Sequence, residues 1–165
     1  MAGLRVGDQA PEFALKSQDG DIVRLSDLLS RGSVVVYFYP KDKTPGCTAE
    51  AGSFRDSYAK FGEFGAEVVG ISSDSVDSHK GFADDCRLPF KILSDADGEV
   101  RKMYGVPSSM GLLPGRVTYI IDKGGIVRKI FSSQLRVTRH VQEALESLGM
   151  IGRHAMSADA GASEE

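Results

Sequence analysis

The sequence predicts a single α/β domain in which a mixed sheet carries helices on both faces. Residues 33–39 and 66–72 are apolar and rich in β-branched side chains without alternation, which is typical of strands buried on both sides. A helical pattern follows each of them, and this β-α-β order makes neighbouring strands parallel. Two strand-like segments near the C-terminus flank residues 123–125, Lys-Gly-Gly, and predict an antiparallel hairpin. Parallel and antiparallel pairs together make the sheet mixed.

Each element has its own local signal. Asp19-Gly20 is typical of a hairpin turn, Ser75 of a helix cap, and Gly105 of a helix end. The predicted elements in chain order are a hairpin at 11–28, a strand at 33–39, a helix at 46–62, a strand at 66–72, a helix at 75–86, a strand at 90–95, a short helix at 97–105, a hairpin at 116–131 and a helix at 138–149. Residues 1–150 thus form the predicted domain, and the small, polar and acidic residues 151–165 predict a disordered tail.

Composition excludes several classes of function. The chain has 165 residues, 41% of them hydrophobic, which suffices for one ordinary core. Its net charge of -3 and its lack of a basic stripe argue against nucleic acid as a partner. The longest strongly apolar run, 34–39, is far too short to span a membrane. We expect a cytoplasmic protein, with a plastid as the alternative location, because the N-terminus lacks signal or transit character. We also expect a monomer, because the sequence indicates no large exposed apolar surface.

Metal and dithiol chemistry also find no support in the sequence. The three histidines and two cysteines have no recognisable ligand spacing, so no metal is expected. The absence of C-x-x-C excludes a thioredoxin-type dithiol site. A structural disulfide between two cysteines 39 positions apart would be unusual in a reducing compartment, and a domain of this size does not need one.

One cysteine, Cys47, lies where a buried strand passes into a helix. Thr44 can act as the N-cap of that helix, with Pro45 at the first helical position and Gly46 leaving room for a second molecule near the sulfur. Backbone N–H groups without partners and the positive end of the helix dipole stabilise a thiolate there. Two lysines, at positions 41 and 43, add positive charge. This arrangement favours a reactive thiolate.

The alternative for Cys47 is a small buried core residue, the usual state of a free cysteine. Glu50 follows one turn later, and its negative charge would oppose a thiolate unless a cation offsets it. Arg55 or Arg116 could supply that cation. Nothing in composition or spacing selects one of these arginines, and both could equally be ordinary surface residues.

Residues 39–50, YPKDKTPGCTAE, resemble the peroxidatic motif of peroxiredoxins, in the peroxiredoxin Q/bacterioferritin comigratory protein class. Segments similar to the same class follow in the same order: GDQAPEFAL before the motif, then GISSDSVDSHKGFA, LPFKILSD, YGVP, LPGRVTYIIDKGG and GIVRKIF. The resemblance covers roughly residues 3–149, and LPGR is most similar to the plant and cyanobacterial branch. It implies a thioredoxin fold with an N-terminal β-hairpin. It also implies an antioxidant, thioredoxin-dependent thiol peroxidase for hydrogen peroxide and organic hydroperoxides, without a cofactor.

The resemblance implies a role for each matching residue. Cys47 would attack a peroxide oxygen and become a sulfenic acid. The hydroxyl of Thr44 would contact thiolate and peroxide, and Arg116 would stabilise the thiolate and orient the substrate. The other residues implied in the substrate pocket are Pro40, Pro45, Gly46 and Glu50.

The residue that resolves the sulfenic acid stays open at this stage. Many members of the class carry a resolving cysteine at the position of Gly52, and others carry one in the next helix, nearer Ala83 than Cys86. Cys86 shares a helix face with Ala83 and could resolve Cys47 if both helices loosen. Otherwise an external thiol such as glutathione, glutaredoxin or thioredoxin must do so, and without it the sulfenic acid risks over-oxidation.

Two further hypotheses compete with the peroxidase. A redox-sensing or holdase-like protein could use oxidation of Cys47 as a switch, and catalytic turnover with a reductant would distinguish it from an enzyme. A glutathione-peroxidase-like enzyme could share the fold. That family relies on a tryptophan in its site, and this chain has none.

Overall fold

Seven strands form one sheet in the computed structural model, which describes residues 3–109 and 113–163. Counting a separate two-stranded pair, the described strands are β1 (Ala14–Ser17), β2 (Ile22–Arg24), β3 (Val34–Phe38), β4 (Glu67–Ser72), β5 (Lys91–Ser94), β6 (Ser108–Ser109), β7 (Leu113–Pro114), β8 (Val117–Ile121) and β9 (Val127–Ser132). Their order in the large sheet is β2-β1-β5-β4-β3-β8-β9, while β6 pairs with β7 alone. Strands β3, β4 and β5 are parallel, whereas β1, β2, β8 and β9 pair antiparallel. The predicted mixed sheet with an N-terminal hairpin is confirmed.

Within the described residues, six helices accompany this sheet. They are α1 (Leu25–Leu29), α2 (Pro45–Asp56), α3 (Tyr58–Glu63), α4 (Val76–Cys86), α5 (Glu99–Tyr104) and α6 (Val137–Ser163). The cap predicted at Ser75 is present, because its hydroxyl accepts from the N–H of Ser78. Gly105 ends α5 in the left-handed conformation that glycine favours, with a φ of 73°.

Some helix boundaries differ from the prediction. The single helix predicted over 46–62 is two helices, because Ser57 leaves helical geometry with φ -101° and ψ 4°. The short α1 and the two-residue strands β6 and β7 were not predicted, since so few residues carry no periodic signal. The backbone of α6 continues beyond 149 through the residues 151–163 that were predicted as disordered. The alanines in that segment are strong helix formers. The domain boundary at 150 stays a prediction.

Two separate cores lie on the two faces of the sheet. One contains buried side chains of α2, α4 and α6, and the other those of α1 and α5. Successive residues of β3 alternate between them: Val35 and Tyr37 face the first core, and Val34, Val36 and Phe38 face the second. Every residue of β3 is therefore buried, which explains why this strand shows no polar alternation.

The parallel strands determine which helix ends lie together. β3 and β4 run in the same direction, and α2 and α4 each run back along the sheet after them. Cys47, in the first turn of α2, therefore lies at the carboxyl edge of the parallel strands, the usual place for a site in such sheets. Cys86 ends α4 and lies towards the opposite edge, about 15 Å down a helix of eleven residues. Among the described helices, none combines the length and apolar character that a membrane crossing requires.

Candidate active site

The loop from β3 to α2 positions the first turn of α2. Thr44 occupies the N-cap position with extended φ and ψ of -88° and 153°, and Pro45 is at the first helical position. The hydroxyl of Thr44 does not cap the helix, because it donates to the carbonyl of Lys41 at 2.8 Å. Lys43 has a positive φ of 66°, which is uncommon for a residue with a side chain. The predicted cap is thus correct for the backbone and wrong for the side chain.

Cys47 combines the two alternatives that the sequence left open. Its residue exposure is 1%, and it belongs to the core that contains α2, α4 and α6. Its Sγ atom also accepts a hydrogen bond from Nη2 of Arg116 at 3.5 Å. A guanidinium stabilises a thiolate by charge and hydrogen bonding, whereas an inert core thiol needs no such partner.

Arg116 is the cation that pairs with Glu50. Its Nη1 donates to Oε1 of Glu50 at 2.5 Å, and its Nε donates to the carbonyl of Gln134 at 3.3 Å. The other candidate, Arg55, instead donates to the carbonyl of Cys86 at 2.7 Å. Arg116 is 5% exposed, so one buried guanidinium contacts both the sulfur and the carboxyl group.

Gly46 allows the arginine to approach the sulfur. A Cβ atom at this position would lie 3.1 Å from Nη2 of Arg116, closer than most such contacts. The space that the sequence analysis assigned to a second molecule is therefore partly taken by the arginine. Lys43 does not add its charge there as expected, since its Nζ lies beside α4, 3.1 Å from where a Cβ of Gly81 would be.

Glu50 is fully buried between Arg116 and His140. Burial raises its pKa to about 8, although the charge and the hydrogen bond of Arg116 act to lower that pKa. Among the described residues, its Oε2 atom has no hydrogen-bond partner. The Nδ1 atom of His140 lies 3.7 Å from this oxygen, just outside hydrogen-bond range.

His140 was missed by the sequence analysis, together with Thr118. Nε2 of His140 lies 2.8 Å from the carbonyl of Ser133, and its Nδ1 lies 2.7 Å from the hydroxyl of Thr118. Burial lowers the pKa of this histidine to about 4, so the ring is neutral near pH 7. No spacing in the sequence could indicate this group, because Thr118 lies on β8 and His140 on α6.

The remaining predicted residues surround the pocket or lie away from it. Pro40 is half-buried and Pro45 is exposed, so they flank the loop on its outer side. Cys86 is 7% exposed, forms no disulfide with Cys47, and has a pKa raised chiefly by burial. Gly52 lies with Cys86 along a surface groove of about 470 Å³ between α2 and α4.

One group of potential metal ligands lies within the described part of the chain. The ligand atoms of Asp42, Asp74 and His79 are within 4.8 Å of one another. Nδ1 of His79 is 2.6 Å from Asp42, and Asp74 accepts from the N–H of Asp42 at 2.8 Å. Asp42 and His79 thus bond to each other and Asp74 binds a backbone donor, and the expectation of a metal-free protein stays a prediction.

Comparison with known proteins identifies similar chains. The model of the AhpC/TSA family matches residues 6–130. The chain is 52% identical over 149 residues to the chloroplastic peroxiredoxin Q of Sedum lineare, covering 90% of this chain and 80% of the relative. The peroxidoxin BcpB of Mycobacterium tuberculosis superposes with a TM-score of 0.84 at 41% identity, covering 90% and 98% of the two chains.

A second solved structure extends the similarity at lower identity. It is the bacterioferritin comigratory protein of Xanthomonas campestris, in a study of that protein's alkyl peroxide reduction activity. The TM-score is 0.76 at 28% identity, with 84% of this chain and 90% of that chain covered.

Proposed function

The chain belongs to the AhpC/TSA family, in its peroxiredoxin Q/bacterioferritin comigratory protein class, and we propose that Cys47 is the residue through which it reduces peroxides. Thiol-dependent reduction of hydrogen peroxide and organic hydroperoxides is its activity. The observation that carries the assignment of Cys47 is the 3.5 Å contact between its Sγ and Nη2 of Arg116. A redox-sensing or holdase-like role is the less favoured alternative, since the similar proteins are enzymes by name.

In the proposed step the thiolate of Cys47 attacks the outer oxygen of the peroxide. An S–O bond forms and the O–O bond breaks, which leaves a sulfenic acid and a hydroxide or alkoxide that takes up a proton. Arg116 lies against the sulfur, so its charge also stabilises the negative charge that develops on the peroxide oxygens. The N–H groups at the start of α2 supply further donors.

Thr44 completes the substrate pocket in this proposal. Thr44 is half-buried at the N-cap, three residues before Cys47, and in the present arrangement its hydroxyl donates to the carbonyl of Lys41. Rotation about its Cα–Cβ bond redirects that hydroxyl, which then binds the peroxide. Pro40 and Pro45 lack backbone donors and flank the loop, so they shape the pocket without competing for the substrate.

We propose that an external thiol, of the thioredoxin, glutaredoxin or glutathione kind, resolves the sulfenic acid. Cys86 lies at the far end of α4, so the start of α2, the end of α4 or both would have to unwind before the two sulfurs could meet. Burial raises the pKa of Cys86, which disfavours the thiolate that must attack. The carbonyl of Cys86 is also held by Arg55 at 2.7 Å.

Intact mass spectrometry tests both proposals. The reduced protein receives one equivalent of hydrogen peroxide without added thiol, beside Cys47→Ser and Cys86→Ser variants. A gain of about 16 or 32 daltons that needs Cys47 and persists in Cys86→Ser supports the assignment and external resolution. A loss of about two daltons that disappears in Cys86→Ser would make Cys86 the resolving residue. No change in the wild type would contradict the role of Cys47.

We propose a location and an assembly state as well. The relative from Sedum lineare is chloroplastic by name, which favours a plastid over the cytoplasm expected from the sequence. We also propose a monomer, as expected from the sequence; the large apolar side chains exposed in the described part are Val6, Ile22, Phe64, Met103, Leu135 and Met150. Light scattering of the reduced and oxidised protein tests the assembly, and a dimer mass in either state would contradict it.

A further inference from the structure

Glu50 and Cys47 share one buried cation. Arg116 extends Nη2 to the sulfur and Nη1 to Oε1 of Glu50, at 3.5 Å and 2.5 Å. The other ionisable groups that face Glu50 among the described residues are His140 on α6 and Tyr37 on β3. Burial keeps both neutral near pH 7, since it lowers the pKa of His140 and raises that of Tyr37. Two anions on one buried cation would leave a negative charge uncompensated, which a site of low dielectric strongly disfavours.

The hydrogen bonds around His140 indicate where a proton sits. A backbone carbonyl only accepts, so the Nε2 that faces Ser133 carries the hydrogen of the neutral ring. Nδ1 therefore presents a lone pair, which accepts from the hydroxyl of Thr118 and also faces Oε2 of Glu50. Against an ionised Glu50 this lone pair would be repulsive. Protonation of Oε2 removes that repulsion and supplies a donor that competes with the Thr118 hydroxyl for the same lone pair.

We propose that Glu50 carries a proton in the reduced enzyme and releases it when Cys47 is oxidised, so that Arg116 faces one negative charge in both states. The proposal rests on the proposed role of Cys47 and adds Glu50 as the group that exchanges a proton when Cys47 reacts. Before reaction the anion is the thiolate, and afterwards it is the carboxylate of Glu50. Burial raises the pKa of Glu50 to about 8, which agrees with a protonated carboxyl group at neutral pH.

Atoms and charges balance in this step. The thiolate takes the outer oxygen of the hydroperoxide with its hydrogen and becomes a sulfenic acid, while the inner oxygen leaves as an alkoxide. The proton released by Glu50 balances that alkoxide, which departs as an alcohol, or as water when the substrate is hydrogen peroxide. The net charge of the buried site is unchanged, so oxidation does not leave a buried Arg116 unpaired. Reduction by a thiol restores the thiolate and returns a proton to Glu50.

Infrared difference spectroscopy of the full chain at pH 7 tests the proposal. Addition of hydrogen peroxide should remove the carbonyl stretch of a protonated carboxylic acid and add a carboxylate band. Labelling glutamate with carbon-13 should shift both bands, and Glu50→Gln should lack them. A carboxylate at Glu50 already present in the reduced enzyme, or an acid band unchanged by oxidation, would overturn the proposal. Mass spectrometry of the same sample shows whether Cys47 was oxidised, which separates this failure from failure of the proposed function.

The pH profile of the oxidation step gives a second measurement. In stopped-flow single turnovers with hydrogen peroxide, the rate constant should decline above pH 8 or so, by up to about tenfold per pH unit, as Glu50 ionises. The profile of Glu50→Gln should not show that decline, whatever its absolute rate, because glutamine cannot ionise. A parallel decline in both proteins would show that another group titrates and would overturn the proposal.

Discussion

Two buried histidines each lie near a carboxyl group, but only one of them is hydrogen-bonded to it. His79 and His140 are both fully buried. His79 lies 2.6 Å from Asp42, whereas His140 lies 3.7 Å from Glu50, beyond hydrogen-bond range. His79 and Asp42 are therefore hydrogen-bonded to each other, whereas His140 and Glu50 are not.

The Asp42–His79 pair connects the loop before α2 to the rest of the fold. Nδ1 of His79 faces Asp42 and its Nε2 faces the carbonyl of Leu93 at 3.0 Å, so each ring nitrogen has a hydrogen-bond partner. Asp42 also accepts from the hydroxyls of Tyr39 and Ser78, at 2.6 Å and 2.9 Å. With its acceptors filled, this pair holds the loop on the sheet and on α4.

The Glu50–His140 pair retains an oxygen with no hydrogen bond among the described residues. In a buried site an unsatisfied carboxyl oxygen is costly, and protonation lowers that cost. A filled hydrogen-bonding network thus resists a change of charge, whereas an incomplete one beside a guanidinium accommodates it. Substitutions in the two pairs should therefore have different consequences.

The largest effect on the rate of peroxide reduction is expected from replacing Arg116, which is bonded to Glu50. Arg116→Met should lower the rate constant of Cys47 with hydrogen peroxide by about 100-fold or more, because the donor on the sulfur and the reacting oxygens is lost. Arg116→Lys keeps the charge without the planar fork and should recover only part of the rate. Stopped-flow kinetics measure both, and a wild-type rate in Arg116→Met would exclude the proposed role.

Breaking the Asp42–His79 pair should lower the stability of the protein more than its rate of peroxide reduction. Asp42→Asn removes the charged acceptor of His79 and should lower the free energy of unfolding by about 3 kcal/mol, as when one partner of a buried pair is removed. Asp84→Asn, in an exposed pair with Lys80, is the matched control and should cost at most ~1 kcal/mol. Urea unfolding gives both values. Equal losses in the two variants would show that the buried pair contributes no special stability.

The pH dependence of stability should reveal Glu50 and His140 separately. The folded pKa of Glu50, about 8, exceeds its ordinary 4.5, so the folded state binds the extra proton and stability falls as pH rises between these values. The folded pKa of His140, about 4, is below its ordinary 6.5, so stability falls as pH drops through that window. The two contributions oppose each other between pH 4.5 and 6.5, and only that of Glu50 acts from 6.5 to 8.

Urea unfolding at pH 6.5 and pH 8 isolates the contribution of Glu50. The wild type should lose stability between these pH values, with a slope on the order of 1 kcal/mol per pH unit. Glu50→Gln should show a flatter profile, because its side chain does not titrate. The same slope in both proteins would assign the titration to another group.

The smallest effect concerns two glycines of α2. A Cβ at Gly52 would lie in ordinary contact, 3.4 Å from Arg55, so Gly52→Ala should stabilise the helix by up to ~1 kcal/mol. Gly46→Ala would press on Arg116 instead and should slow the reaction with peroxide. Thermal unfolding and stopped-flow kinetics compare the two variants. Slower peroxide reaction in Gly52→Ala would indicate that unwinding of α2 at this position contributes to the reaction.

Much of the fold could be predicted because its signals are local. The apolar runs of β3 and β4, the turn at Asp19-Gly20 and the cap at Ser75 each depend on a few neighbouring residues. The break at Ser57 was not predicted, because the helical pattern continues on both sides of it. The strands β6 and β7 were missed because two residues carry no periodicity.

The α/β class and the place of Cys47 at a strand-to-helix junction follow from local sequence patterns, and the peroxiredoxin class and the role of Arg116 at the thiolate follow from the resemblance. The folded chain adds that Arg116 and not Arg55 reaches Glu50, and that His140 and Thr118 lie beside that carboxyl group. These contacts escape sequence patterns because their residues are far apart along the chain. Strand and helix formation follow from the side chains within one or two turns, whereas the charge environment of a buried sulfur depends on residues up to 93 positions away that meet when α6 packs over β8 and α2.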